Sequence, residues 1–160
     1  MITFDDVVEV LQEHEDICDF LEGASEEKII SAEKYLGVKF PESYKHFLKK
    51  YGECTIDCFE IYGITKDGDF VNGGIPNGIW LTMEERKAID LPEELVIVYD
   101  TGMEFFFCLD TSEMKDGECP VVSISDCGGG EKEIVYDSFP EFLMEECIKP
   151  ALEYDDDDEE

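Results

Sequence analysis

Basic residues are scarce in this sequence. Among its 160 residues, 12 are Lys or Arg and 42 are Asp or Glu, which gives a formal net charge of −30. A surface with so many carboxylates repels the phosphates of nucleic acids and the head groups of anionic lipids. The composition therefore argues against direct binding to nucleic acid and against attachment to a membrane surface.

From the sequence we expect neither a membrane-spanning helix nor a secretory signal peptide. Its longest uncharged stretch, residues 70–83, is interrupted by glycines and a proline and cannot form a membrane-spanning helix. No Lys or Arg precedes Lys28, so the basic start of a secretory signal peptide is missing. We therefore expect a protein of the reducing cytoplasm, in which the 7 cysteines act mainly as small buried apolar groups.

Residues with catalytic or metal-binding chemistry are few and scattered. The 2 histidines are His14 and His46, and no cysteine pair has the C-x-x-C spacing of zinc ribbons and thiol–disulfide oxidoreductases. We therefore expect no metal, no cofactor and no enzymatic activity. One enzymatic alternative stays open, a hydrolase that pairs His46 with a cysteine, although no spacing selects that cysteine. The glycines at 128–130 lack the Lys-Ser/Thr of a phosphate-binding loop and predict a hairpin loop.

Apolar residues are abundant enough for one core, since 43% of the chain is hydrophobic. Their helical spacing predicts an N-terminal helix over residues 4–21. A second helix is expected to begin at Ser25 and to end at Gly37, because Ser caps helix starts and Gly favours helix ends. A third helix is expected to follow Pro41.

Strand patterns dominate the second part of the chain. Residues 54–64 predict a strand, and a loop rich in Gly and Asn (residues 68–78) leads to a short helix that Thr82 could cap. The apolar runs 95–99 and 103–109 predict central strands covered on both faces. The short segment between these two runs predicts an antiparallel hairpin.

Two further strands, at 121–124 and 134–136, and a last helix that begins at Ser138 complete the pattern. Helices followed by strands and a closing helix predict an α+β fold. We expect a single domain over residues 1–152, in which helices pack on a mainly antiparallel central sheet. Residues 153–160 are expected to form a disordered acidic tail, because they are too charged to order themselves.

Three stretches of the chain resemble a known family. The first contains Ile29-x-x-x-Glu33-x-x-Leu36-Gly37 and Phe40-Pro41-x-x-Tyr44-Lys45-x-Phe47-Leu48-x-x-Tyr51-Gly52. The second is Leu91-Pro92-Glu93-x-Leu95-Val96-x-Val98. The third runs from Cys108 to Val122 and includes Lys115-Asp116-Gly117-Glu118. These stretches are similar to the SUKH superfamily, the Smi/Knr-like proteins, and within it to bacterial immunity proteins of the YobK type. The resemblance covers residues 25–152.

This resemblance implies a non-enzymatic protein with a single α+β domain. It also implies the function of an immunity protein, or antitoxin, that binds and neutralises a polymorphic toxin, often a nuclease, inside the producing cell. The Gly/Asn-rich segment departs most from the family pattern, so the resemblance does not identify the toxin. The same fold could instead serve as a regulatory or signalling interaction module without a toxin partner.

The excess of carboxylates fits the implied function, because a nuclease cleft is basic in order to hold phosphates. An acidic surface can occupy such a cleft and exclude its substrate. The alternative is that the acids serve only solubility. Trp80 is either an anchor at the interface or a packing residue. The predicted partner-binding residues are Trp80 and a set of acids: Asp67, Asp69, Glu104, Asp126, Glu131, Glu133, Asp155 and Asp156.

We predict that no intramolecular disulfide supports the fold, because the cysteine count is odd and the expected compartment is reducing. Thermal unfolding midpoints measured with and without dithiothreitol should agree within error. A clearly lower midpoint in reductant contradicts both the redox state and the cytoplasmic location expected here.

Overall fold

The computed structural model describes residues 1–20, 22–66 and 69–158, and its side-chain description ends at Glu153. The α-helices are α1 (Phe4–Glu13), α2 (Glu26–Leu36), α3 (Glu42–Lys50), α4 (Gly78–Ile89), α5 (Phe139–Phe142) and α6 (Lys149–Asp158). The strands are β1 (Cys18–Asp19), β2 (Cys54–Ile56), β3 (Phe59–Ile61), β4 (Leu95–Asp100), β5 (Phe105–Asp110), β6 (Val121–Ser125) and β7 (Glu133–Tyr136). None of the helices in these ranges is long and apolar enough to cross a membrane.

The strands form two antiparallel sheets, with the orders β1-β2-β3 and β4-β5-β6-β7. In the larger sheet, Leu109 of β5 lies opposite Val96 of β4 on one side and opposite Val121 of β6 on the other. Helices pack on this sheet. The predicted α+β fold, a single domain with antiparallel sheet packed by helices, is therefore confirmed.

Both faces of the larger sheet are covered, as the apolar runs predict. Successive side chains of a strand point to opposite faces. One face contributes Val96, Leu109 and Val121 to the main core, which also contains buried residues of α1, α2, α3 and α5. The other face contributes Ile97 and Cys108 to a second cluster beneath α4.

Helix α3 begins without a capping side chain of its own, because its N-cap residue is Pro41. The cap comes from a distant loop instead. The carboxylate of Glu118 accepts hydrogen bonds from the backbone N–H (2.9 Å) and the hydroxyl (2.7 Å) of Ser43. The carbonyl oxygen of Gly117 accepts a further hydrogen bond from the N–H of Glu42 (2.8 Å). The loop before β6 therefore fixes the start of the central helix.

The predicted N-terminal helix over residues 4–21 is wrong beyond Glu13, where α1 ends. Residues 12–16 are polar, and Ile17 is out of phase with the buried residue Leu11 on a helical surface. A 3₁₀ turn over Glu15–Ile17 buries Ile17 instead. The chain then enters β1, where Cys18 pairs with Ile56. The pairing of β1 with β2 therefore outweighs the local helical pattern after Glu13.

Two other local predictions need correction. The predicted strand 54–64 is a hairpin of β2 and β3 that turns at Asp57, which has a φ of 56°. Helix α4 begins at Gly78, and its cap is Asn77, whose side-chain oxygen accepts from the N–H groups of Ile79 and Trp80. Thr82 is not a cap but a buried residue inside this helix.

The acidic C-terminal end continues a helix rather than starting a separate segment. Helix α6 runs through Asp158, so its end does not coincide with the boundary predicted at residue 153. Residues 159–160 lie outside the described part of the chain. Acids near the C-terminus of a helix interact unfavourably with the helix dipole and weaken the last turns of that helix. The disorder expected for the acidic tail in solution therefore stays a prediction.

We predict that Glu118→Ala lowers the free energy of unfolding by about 1–2 kcal/mol, because the α3 start loses its cap. Chemical denaturation followed by circular dichroism measures this change. The matched control is Glu113→Ala, since Glu113 is exposed and caps nothing in the described ranges, and it should stay within about 0.5 kcal/mol of the parent. Equal effects of the two substitutions contradict the capping role.

Candidate protein-interaction surfaces

Carboxylates from separate elements meet at one end of the larger sheet. Asp100 ends β4, Glu104 lies in the turn before β5, and Asp126 follows β6. The backbone N–H of Asp126 donates to the carbonyl oxygen of Glu104 (3.0 Å), which joins this turn to the end of β6. Glu85 of α4 interacts electrostatically with Asp100 and Asp126. We call Glu85, Asp100, Glu104 and Asp126 the sheet-end cluster.

The electrostatics of the sheet-end cluster are those of crowded negative charge. Burial raises the pKa of Glu85, and the carboxylates of Asp126, Asp100 and Glu84 raise it further. At the same end, burial together with Asp100 and Glu60 raises the pKa of Tyr62 to about 12. Both groups hold their protons more tightly than usual, first because burial disfavours their charged forms and then because neighbouring anions disfavour another negative charge. The cluster is therefore suited to a cationic partner.

Two exposed apolar side chains accompany the sheet-end cluster. Met103 is 76% exposed and Phe105 is 47% exposed, and they flank Glu104 in the sequence. Protein interfaces commonly bury a few large apolar side chains at the centre and place charged groups around them. Apolar groups beside the carboxylates therefore give this end of the sheet the composition of a protein-binding surface.

The structure brings together only part of the predicted partner-binding set. Glu104 and Asp126 meet in the sheet-end cluster, whereas Asp69 accepts hydrogen bonds from the N–H groups of Val71 and Asn72, which lower its pKa and close a local turn. The remaining acids are distributed elsewhere: Glu131 and Glu133 are exposed before and in β7, Asp155 and Asp156 are in α6, and Asp67 lies outside the described residues.

Trp80 lies in the first turn of α4 rather than in a loop. It is partly buried and packs against the second hydrophobic cluster. A Cβ added to Gly73 would lie 3.2 Å from the Cβ of Trp80, so the preceding loop approaches this residue closely. These contacts favour the packing interpretation of Trp80 over the interface interpretation.

The sequence prediction missed Glu85, Asp100 and the apolar pair Met103 and Phe105. A signal for part of this group was present, because the predicted hairpin turn places Asp100 and Glu104 at the same tip. The contribution of α4 could not be predicted, since no local pattern shows where a helix lies on a sheet.

A second surface is a groove at the opposite end of β5 and β6. It has a volume of about 900 Å³. Its lining combines apolar residues with a mostly acidic rim: Met1, Ile2, Asp6, Glu113, Lys115, Asp116, Glu118, Cys119, Pro120, Ile134, Asp137, Ser138 and Glu141. The acids on this rim outnumber its one lysine. Among the predicted partner-binding residues whose side chains the structure describes, none lines it.

The cysteine thiols are all free. Burial raises the pKa of Cys108 and raises that of Cys119 to about 12. The pKa of Cys18 is lowered, and the cause is a hydrogen bond with Cys54 rather than with a basic side chain. Raised pKa values keep a thiol protonated and weakly nucleophilic.

The histidines do not assemble with these thiols. The ring centroid of His46 lies 6.3 Å from that of Phe4, and His14 is the C-cap residue that follows α1. Across the ranges that the structure describes, no hydrogen bond joins a thiol to either histidine, which leaves the hydrolase alternative without a nucleophile–base pair there. In the same ranges, no three His, Cys, Asp or Glu side chains are grouped to hold a metal ion.

Comparison with models of protein families shows which family the chain belongs to. A model of the family SUKH_5, described as SMI1-KNR4 cell-wall, matches residues 4–148. The chain belongs to the SUKH family. The match extends through both sheets and to the end of the π-helical segment Leu143–Ile148 between α5 and α6, so this SUKH protein shares nearly its whole folded length with the family.

The stretches that carry the family resemblance hold this SUKH fold together. Glu33 of the first stretch is buried and accepts a hydrogen bond from the N–H of Phe40 (2.8 Å). Glu118 of the third stretch caps α3 in the first. Thr111 of the third stretch donates its hydroxyl to the carbonyl oxygen of Glu94 in the second (2.7 Å). The sheet-end residues Glu104 and Asp126 lie outside all three stretches.

We predict that Glu85→Gln stabilises the folded protein at about pH 7 and that this gain disappears on acidification. Because the folded-state pKa of Glu85 is raised, the folded protein binds this proton more tightly than the unfolded chain does. The stabilising contribution of protonated Glu85 is therefore present at low pH and is lost as the pH rises through the folded-state pKa. The neutral Gln avoids that loss.

Thermal unfolding of the parent and the variant measures the effect. The midpoint should rise by about 1–2 °C at about pH 7 and stay unchanged at about pH 4. Glu9→Gln on α1 removes one charge from an exposed position and controls for the general relief of repulsion. A gain from Glu9→Gln as large as that from Glu85→Gln contradicts the local crowding.

Proposed function

We propose that this protein is a cytoplasmic immunity protein that binds a toxin and neutralises it by stoichiometric association. Members of the SUKH family are generally non-enzymatic immunity proteins. In this proposal the partner is a secreted or contact-delivered toxin with a basic nuclease cleft. The protein protects the cell that makes the toxin.

The observation that carries the proposal is the acidic sheet-end cluster on a chain of net charge −30. A nuclease attracts phosphates with Lys and Arg, and the same residues attract a surface of carboxylates. A backbone hydrogen bond joins Glu104 to Asp126, so the backbone segments that carry these two acids are already positioned before binding. Phe105 and Met103 provide apolar contact area beside them.

Neutralisation would follow from occupancy of the cleft. Carboxylates at the sheet end would lie where substrate phosphates lie during cleavage, so substrate and protein could not bind together. The long-range field of the chain would accelerate encounter with a cationic partner, and the apolar contacts would slow dissociation. Catalysis by the protein itself is not needed in this mechanism.

The direct test begins with capture of the partner. The tagged protein, expressed in its native cell, should retain a protein whose own expression stops growth. Co-expression with this chain should restore growth. A captured partner that is harmless to the cell contradicts the immunity function and favours a regulatory interaction module.

We predict that association with the captured toxin is steered by charge. The association rate, measured by stopped-flow fluorescence, should fall at least about 10-fold between about 20 and 150 mM salt. Glu104→Lys combined with Asp126→Lys should slow association further at low salt.

The matched control for this pair is Glu9→Lys combined with Glu13→Lys on α1, which changes the net charge by the same amount at exposed positions. It should have the smaller effect, because these residues lie outside the sheet-end cluster. An association rate that does not depend on salt contradicts charge complementarity as the driving force. Equal effects of the two pairs of substitutions contradict the sheet end as the docking surface.

A further inference from the structure

The groove at the opposite end of the strands combines features that an interaction surface needs and that the fold does not use. Its floor includes Ile134, which is 65% exposed although it lies in a strand. The buried Cys119 and the partly buried Ile2 continue this apolar floor. Exposed branched side chains on an edge strand are unfavourable in water and mark sites where other chains bind.

The strand that borders the groove has an open edge. β7 is the last strand of the larger sheet, and it pairs with β6 alone within the described ranges. Val135 next to Ile134 is also exposed. An open edge with exposed apolar side chains can receive an extended segment of another chain.

The rim of the groove determines what kind of segment fits. The carboxylate of Asp6 accepts a hydrogen bond from the backbone N–H of Thr3 in the capping box of α1, Glu118 caps α3, and Glu141 accepts a hydrogen bond from the backbone N–H of Asp137. In contrast, the carboxylates of Glu113 and Asp116 are exposed and accept no hydrogen bond within the described part of the chain. Glu113 also interacts electrostatically with Lys132. The two exposed carboxylates on the rim favour a ligand that carries positive charge.

We propose that this groove binds an extended segment of a partner protein in which Lys or Arg alternates with large apolar residues. The apolar side chains lie on the floor beside Ile134, and the basic side chains lie against Glu113 and Asp116. This inference does not require the partner to be a toxin. It assigns a second surface, separated from the sheet-end cluster by the length of β5.

The test uses the full chain and a fluorescein-labelled peptide of 11 residues in which Lys or Arg alternates with Leu or Val. Fluorescence anisotropy at physiological salt measures its affinity. A second peptide replaces the apolar residues with Gly and keeps the basic ones. The proposal predicts that the second peptide binds at least about 10-fold more weakly, since charge alone does not fill the floor.

The decisive variant is Ile134→Asp, which makes the chain more acidic. General attraction between opposite charges predicts equal or tighter binding of the basic peptide, whereas the groove predicts binding weaker by at least about 10-fold. Ile134 is exposed, so the variant should fold, as circular dichroism can verify. Ile30→Asp, at an exposed isoleucine of α2 outside the groove, is the matched control and should not weaken binding.

The rim is tested in the same assay by Glu113→Gln combined with Asp116→Asn. This pair should weaken binding more than Glu9→Gln combined with Glu13→Gln, which removes the same charge from α1. The proposal is overturned if Ile134→Asp binds the peptide as well as the parent does, or if the Gly-containing peptide or spermine binds as tightly as the basic–apolar peptide. It is also overturned if the free protein is a dimer that Ile134→Asp dissociates, because a second copy then occupies the groove.

Discussion

Mutual repulsion among carboxylates is the constraint that the rest of this structure must satisfy. With 42 acidic and 12 basic residues, an acid can be buried only where it is compensated. Glu33 and Asp110 are the buried acids in the described ranges, and both are hydrogen bonded. Burial alone would raise the pKa of Asp110, but hydrogen bonds from Lys132 and Ser112 lower it instead. The other described acids lie at the surface or only partly below it, where their charges are available to a partner.

The fold is held against this repulsion by apolar packing and by a small number of hydrogen bonds between distant segments. Helix α3 is central, because Tyr44 and Phe47 are fully buried and contact the ring of Phe139 at centroid distances of 5.0 and 5.3 Å. The hydroxyl of Tyr44 also donates to the carbonyl oxygen of Tyr62 (3.0 Å). The SUKH stretches maintain this framework, and the sheet-end cluster lies outside them. Such a division allows the binding residues to differ between relatives without loss of the fold.

Local signals in the sequence predict the elements whose ends are determined locally. Ser25 caps α2, Gly37 ends it with a φ of 72°, and Ser138 caps α5, all as expected from the sequence. The prediction fails where contacts between distant segments determine the secondary structure. Cys18, for example, pairs with Ile56 of β2 in a strand instead of continuing the expected helix. The candidate sites follow the same rule. Glu104 and Asp126 could be proposed from their charge, but their meeting depends on the register of β5 with β6, and the groove depends on loops that are far apart in the sequence.

The central claim is that this chain neutralises its partner by occupying it rather than by modifying it. The most direct measurement is a titration of the purified toxin's activity, for a nuclease the cleavage of its nucleic acid substrate, with increasing amounts of this protein. Stoichiometric occupancy predicts a linear loss of activity that ends at about one equivalent, and recovery of full activity when the complex is dissociated at high salt. Activity that persists in excess protein, or that is abolished permanently by far less than one equivalent, contradicts this account.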